Sequence, residues 1–440
     1  MSLPRHVDLA LRAAWILPIQ PAGLLERHAL VVDGGRVVDL VPESEVAGRY
    51  LARDELVLDH HVLLPGLVNA HTHAAMSLMR GIADDLPLST WLEQAIWPRE
   101  TQFVTSEFVY DGTLLAAAEM LRGGITCCAD FYFYPDACAR AYQAAGLRAV
   151  VGMPVLDFPT PYAADADAYL QNGLAARDAF RHAPRLTFAL VPHAPYTVGD
   201  ETFARIATYA TELDLPIHTH LQETRRELDE ALAATGESPL ARLERLGITG
   251  PGFVAVHAVH LAPGDVARLA RAGASVAHCP TSNLKLASGI APVAELLAAG
   301  VNVALGTDGA ASNNRLDLFA EMRLAALLAK GSSGDASVLP SMQALHLATL
   351  GGARALSLDS EIGSLEPGKA ADLVAVDLSD LQDAPMYDPV SHLVNVVGRE
   401  RVSDVWVAGE HLVRDGALVR VDRGALSARA RLWQQKLRAP

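Results

Sequence analysis

The sequence predicts an α/β protein: a (β/α)8 TIM-type barrel with a small β-sandwich domain built from both chain ends. Three observations carry this. Eight short apolar runs of buried-strand type alternate with helical or loop segments through the middle of the chain. The two ends share a different texture, β-type runs broken by turn signals. The chain has 440 residues, 50% of them hydrophobic, enough for one large domain and a smaller companion.

In chain order, the amino end MSLPRHVDLALRAAWILPIQ sets Asp8 and Arg12 among apolar residues. That spoils a signal-peptide core and a spanning helix alike, and no later stretch reaches the roughly 18 uncharged apolar residues a membrane helix needs. The expectation is a soluble, cytoplasmic protein with no membrane partner. Leu30 to Val41, split by Asp33-Gly34-Gly35, and Leu56 to Leu64 read as strands. The same texture returns in DLVAVDL from Asp372 and DVWVAGEHLVRDG from Asp404. Residues 1–64 plus 366–440 are therefore predicted to form the small β domain and 65–365 the barrel.

The eight runs are LLPGLVNAH from Leu63, GITCCADF from Gly124, LRAVVGMPV from Leu147, LTFALVPH from Leu186, LPIHTHL from Leu215, GFVAVHAVH from Gly252, ASVAHCP from Ala274 and VNVALGTD from Val301. Helical patterns such as Ser106 to Arg122 and Asp200 to Asp214 lie between them. Net charge is −15, with 36 basic against 51 acidic residues, so a nucleic-acid polymer or an anionic membrane would be repelled. Cys127, Cys128, Cys138 and Cys279 show no C-x-x-C spacing and read as reduced, buried thiols.

The polar residues fall at the run ends. The first run ends at His71-Thr72-His73, the fourth at His193, the fifth at His218-Thr219-His220 followed by Glu223, the sixth at His257 and the eighth at Asp308. A barrel brings the carboxyl ends of its strands to one mouth, so these side chains would converge. Residues two apart on a strand share a face, which lets His71 and His73 aim at one ion. Neutral imidazoles with one carboxylate suit zinc, or alternatively iron(II), and an open position for water makes such a site catalytic. His71, His73, His220 and Asp308 are the predicted ligands. His218 is assigned to the core, as is His260. The fourth run carries no lysine to bridge two metals, which favours one ion.

These residues resemble the amidohydrolase superfamily, in its one-metal deaminase branch and nearest to the 5′-methylthioadenosine/S-adenosylhomocysteine deaminases. The likeness spans nearly the whole chain. It rests on PGLVNAHTH from Pro65, MSLMRGIADDLPLSTWL from Met76, VPHAPYTV from Val191, HLQET from His220, HAVHL from His257, HCPTSNLKLASG from His278 and LGTDGAASNN from Leu305. The resemblance implies hydrolytic deamination of an adenine nucleoside, foremost 5′-methylthioadenosine, with S-adenosylhomocysteine or adenosine as further substrates. It makes Glu223 the proton shuttle, His257 the partner of the activated water, Asp308 both ligand and catalytic carboxylate, Glu100 the holder of the ribose hydroxyls and His193 a purine contact. Without the resemblance, Glu100 reads as a solvated carboxylate after Pro98-Arg99. Superfamily relatives often associate, which leaves room for a homo-oligomer.

Other side chains have weaker warrants. Trp91 and Trp97 are candidate pocket walls, against the plainer reading of core tryptophans. His278, Ser282 and Asn283 are candidates for positioning pocket side chains. In relatives that accept S-adenosylhomocysteine, arginines near the third strand end are expected to hold its carboxylate; here the strand end, residues 151–158, and the loop PTPYAADADAY offer none. A homocysteine tail is instead expected to meet Asp157, Asp165 and Asp167, while Met153 and Phe158 suit a methylthio group. The competing readings are a guanine, cytosine or pterin deaminase or a chlorohydrolase of the same superfamily, a lyase or isomerase on the same scaffold, and a non-catalytic binding protein.

Overall fold

The structure, a computed structural model, describes residues 3–438. The outermost residues of the predicted small domain, 1, 2, 439 and 440, lie outside the described residues. Near the amino end come β1 (Arg5–Ile16), β2 (Leu25–Asp33), β3 (Arg36–Pro42) and β4 (Tyr50–Pro65). The β2–β3 turn is Gly34-Gly35, with φ of 57° and 75°, the left-handed pair that a two-residue hairpin of matching twist demands. Eight strands follow: β5 (Leu67–Thr72), β6 (Ile125–Asp130), β7 (Arg148–Val155), β8 (Leu186–Pro192), β9 (Ile217–Leu221), β10 (Phe253–His257), β11 (Ser275–His278) and β12 (Asn302–Leu305). The last are β13 (Leu373–Asp377), β14 (Val402–Val407), β15 (Glu410–Arg414) and β16 (Ala417–Leu418).

Strands β5 to β12 are parallel and pair in chain order. All eight predicted runs thus become barrel strands, with one refinement: LLPGLVNAH divides at Gly66, its first residues finishing β4 and the rest forming β5. The seam between β12 and β5 is held just past β12, where Asp308 N donates to His71 O at 3.0 Å and Thr307 N to the Asn69 Oδ1 at 3.0 Å. Gly306 sits in that seam, and a Cβ there would lie 2.9 Å from both Cys279 Sγ and His71 Cβ. Only glycine lets the strands approach so closely.

The strands from the two chain ends form one mixed sheet, ordered β16-β15-β14-β13-β4-β1-β2-β3, in which β1 and β4 are parallel. The sheet curls until its two hairpin turns meet: a Cβ on Gly35 would lie 2.5 Å from Ala408 O. Leu11, Leu30, Leu63, Leu373 and Trp406 share the core this encloses. Arg148, at the start of β7, donates Nε and Nη2 to Asp372 at 2.9 and 3.0 Å, a buried bidentate pair joining barrel to sheet. Beyond the sheet, Arg423–Arg438 forms a helix lying on the barrel helix Ser106–Arg122. There Trp433 packs edge-on to Phe108 at 5.2 Å and donates Nε1 to Asp111 at 3.0 Å. All four cysteines are buried and unpaired by disulfide. Among the described residues no helix is long and apolar enough to cross a membrane.

Candidate active site

Pairing fixes which side chains face the barrel interior. His220 pairs with Val256 in a row that continues into Ala277 and Ala304, and His218 pairs with Val254 in the row that continues into Ser275 and Asn302. On β5 the row would miss the histidines but for a bulge: Asn69 pairs with Cys128 and Thr72 with Asp130, three residues against two. The extra residue reverses the parity of β5, so His71 and His73 turn inward. The imidazoles then converge, with ring centroids of His71 and His73 4.8 Å apart, His71 and His220 5.1 Å, and His73 and His220 5.3 Å. Asp308 completes the group, its Oδ1 lying 3.4 Å from His71 Nε2 and 3.3 Å from His73 Nε2.

A further group fixes the aim of most of these side chains. His73 Nδ1 lies 2.5 Å from Phe131 O and His220 Nδ1 2.8 Å from His193 O, so each ring donates there and turns Nε2 to the centre. Asp308 Oδ2 accepts from Ser282 Oγ at 2.6 Å and Ser312 Oγ at 2.9 Å, and Oδ1 from Gly309 N at 2.8 Å. His71 is the exception: it is fully buried and neither nitrogen has a hydrogen-bond partner. A buried imidazole left so is costly, and an electrophile at the centre of the cluster removes the cost. Burial pulls the His71 pKa down to about 3 and that of His220 well below its usual value, leaving lone pairs free to coordinate. Burial would raise the Asp308 pKa, but the imidazoles of His71, His73 and His257 gathered around it outweigh that and hold it well below the usual carboxylate range. Two overlapping groups, His71 with His220 and His257, and His71 with His73 and Asp308, each gather their ligand atoms within 4.8 Å. Such a donor set fits a divalent metal ion.

Beside the cluster, Glu223 Oε2 lies 3.7 Å from His257 Nε2, and its Oε1 accepts from Ser288 Oγ at 3.0 Å. Burial raises the Glu223 pKa, as a group that carries a proton requires. His257 Nδ1 meets Asn283 Oδ1 at 2.8 Å, which again turns Nε2 to the site. Ser282 and Asn283 are thus placed behind Asp308 and His257, whereas His278 is buried and lines no part of the cavity. His218 sits in the core with both nitrogens unpartnered, and His260 bonds Ser288 O at 2.6 Å.

These groups open on a cavity of about 230 Å³. His193, Trp91, Trp97 and Glu100 all line it. Glu100 is not a freely solvated carboxylate: it accepts from Tyr132 OH at 2.8 Å, and burial raises its pKa. Met153 does not line the cavity, correcting the expectation from sequence. It pairs with Leu190 on the outer row of β8 and packs under the helix Ala166–Phe180, where a Cβ on Gly173 would come within 2.8 Å of the Met153 Cβ. Its neighbours Pro154 and Leu156, with Phe158, reach the cavity instead. The three aspartates expected near a substrate tail are also engaged elsewhere. Asp157 accepts from Gly199 N and Thr202 Oγ1, Asp165 caps its helix at Ala168 N, and Asp167 pairs with Arg205. The absence of a cation stands: among the described residues lining the cavity there is no lysine or arginine.

Sequence reasoning missed Tyr132, Ser288 and Glu227. Glu227 accepts from Gln222 N and Glu223 N, both at 3.0 Å, clamping a turn in which Gln222 takes φ 49°. The spacing of Thr224 and Glu227 at a helix start was the available signal for it.

The amidohydrolase family model matches residues 62–412. A 5-methylthioadenosine/S-adenosylhomocysteine deaminase of Teredinibacter turnerae is 47% identical over 440 residues, covering 100% of both chains. Among solved structures, an adenosine deaminase from Xanthomonas campestris with bound zinc superposes with a TM-score of 0.98 at 46% identity, covering 99% of this chain and 100% of that one. An atrazine chlorohydrolase from Arthrobacter aurescens complexed with zinc gives 0.89 at 26% identity, covering 97% and 99%.

Proposed function

This chain belongs to the amidohydrolase family and is a hydrolase acting on a C–N bond, and on that premise we propose that it converts 5′-methylthioadenosine and water to 5′-methylthioinosine and ammonia. The deaminase and zinc-bound relatives support this reading, with zinc as the ion. The observation that carries it is the meeting, in one cavity, of Glu223 and His257 beside the imidazole–carboxylate cluster with a Glu100–Tyr132 pair suited to ribose hydroxyls and no cation for an anionic tail.

In this reading His71, His73, His220 and Asp308 hold one divalent ion, which when bound supplies the Lewis acidity that makes water a nucleophile near neutral pH. His257 and Asp308 orient the water for attack on C6. Negative charge grows on the ring, so Glu223 takes a proton from the water and sets it on N1. His193 holds the purine, Trp91 walls it and Glu100 accepts from the ribose hydroxyls. Glu227 keeps the main chain of Glu223 in place. The departing nitrogen leaves as ammonia through the same proton traffic.

The test is kcat/KM for 5′-methylthioadenosine against S-adenosylhomocysteine with metal-replete enzyme. The thio-nucleoside is expected to be preferred, because a homocysteine carboxylate finds no guanidinium in the cavity. A preference for the homocysteine compound overturns the substrate assignment, and ammonia release from guanine or a pterin alone overturns the nucleoside reading.

A further inference from the structure

We propose that the enzyme also hydrolyses adenine nucleosides alkylated on N6, releasing a primary alkylamine into a second cavity beside the first. The inference rests on the deaminase reading above and deepens it.

A second cavity of about 700 Å³ adjoins the first. The walls common to both include His220 and Glu223, whereas Glu100 and Tyr132 line the first alone. The larger space therefore borders the reacting edge of a bound purine through His220 and Glu223, stays clear of the Glu100–Tyr132 pair, and also runs along the wall formed by Trp97. A substituent on N6 points out of that edge, next to the carboxylate that manages the leaving group's protons.

The lining suits an alkylamine. Leu88, Leu92, Leu286 and Ala231 offer an apolar wall for a short alkyl stem. Glu93, Asp200, Glu227, Glu230 and Glu237 put carboxylates around it, against two guanidiniums. Three of these carboxylates are paired, Glu230 with Arg226, Asp200 with Arg242 and Glu237 with Arg245, each at 2.6 Å, and among the described residues Glu93 and Glu227 have no ion-pair partner. An excess of carboxylate over cation attracts an alkylammonium ion and repels an anion.

The step is the deamination itself with a substituted nitrogen. Oxygen from water bonds to C6 and the C6–N6 bond breaks. One water proton goes to the departing nitrogen and the other remains on N1 of the product, giving a neutral amine that takes up a further proton from bulk water.

The experiment incubates metal-replete enzyme with 5′-methylthioadenosine and its N6-methyl and N6-butyl derivatives, and quantifies amine and 5′-methylthioinosine by chromatography. Butylamine and the inosine product are expected in equal amounts. Ala234 lines only the second cavity and is exposed on the helix Arg225–Thr235. Ala234→Trp is expected to lower kcat/KM for the N6-butyl compound, relative to the parent nucleoside, by at least about tenfold, the discrimination an apolar pocket can exert. Should that variant fold poorly, Ala231→Phe reports the same ratio. Deamination of the parent without any butylamine overturns the inference and leaves the deaminase reading standing. So does a loss that is equal for both substrates. Failure to deaminate the parent removes both.

Discussion

The two ends of the catalytic cavity are built on different principles. At the metal end polar side chains hold one another: Phe131 O and His193 O aim His73 and His220, Ser282 and Ser312 grip Asp308, Asn283 turns His257, and Ser288 and Glu227 secure Glu223. At the far end the walls are aromatic and proline side chains, Phe158, Pro159, Pro161 and Tyr162, and the Glu100–Tyr132 bond supplies the polarity. The first end positions reacting atoms to within a hydrogen bond, and there a small displacement costs rate. The second selects by shape and by its lack of positive charge, and there displacement costs affinity.

The contrast predicts where damage shows. The largest effect is expected from His71→Ala, which removes the one cluster imidazole with no partner besides an ion: bound metal measured after dialysis should fall to background and turnover with it, by more than about 10³-fold. Retention of stoichiometric metal and activity would break the account of this end. Next comes Glu223→Gln, expected to lower kcat by about 10² to 10⁴ while metal content stays near that of the parent protein. At the far end Phe158→Ala should do something different in kind. Phe158 faces Trp97 at 6.4 Å and is partly exposed, so KM for 5′-methylthioadenosine should rise about threefold to tenfold with kcat little changed. A fall in kcat matching that of a metal-end substitution would erase the distinction between the ends.

The smallest effect sharpens the comparison from behind the metal end. Glu321 is buried, accepts from Thr281 N at 3.1 Å and Asn313 Nδ2 at 2.7 Å, and so ties together the loops that carry Ser282 and Ser312. Burial pushes its pKa up to about 7 from the ordinary 4.5. Between those values the folded protein binds more protons at this group than the unfolded chain does, so its contribution to stability is present below about pH 4.5 and is lost as pH rises through 7. Glu321→Gln should therefore flatten the decline of denaturation midpoint between pH 5 and pH 8. An unchanged slope would show that the carboxyl does not titrate in that window.

Much of this was legible in the residues, and the exceptions have physical reasons. Apolar runs ending in histidine or aspartate are an unusual pattern, because ionisable groups at the end of a buried strand need a purpose. That is why His71, His73, His220, Asp308 and Glu223 could be picked out as candidates that converge on one mouth before any coordinates. Met153 could not be placed, since β7 is apolar on both faces and its pattern does not say which row turns inward. Asp157, Asp165 and Asp167 look alike as letters near a strand end, but each is consumed by a helix start or an arginine. Glu100 reads as a surface carboxylate until its segment folds over the barrel mouth and sets it against Tyr132.

The sequence alone determined the inventory: eight barrel strands in order, a sheet from both ends, imidazoles and carboxylates at the strand ends, and no basic residue near the third. Hydrophobic periodicity and residue chemistry are local properties, and they survive in a linear string. Facing and distance were decided by tertiary structure. The bulge between Asn69 and Thr72, visible only when β5 is laid against β6, turns His71 and His73 inward, and Asp308 arrives beside them because the last strand closes onto the first. Both depend on pairing between segments far apart in the chain, whose register the letters of either segment do not specify.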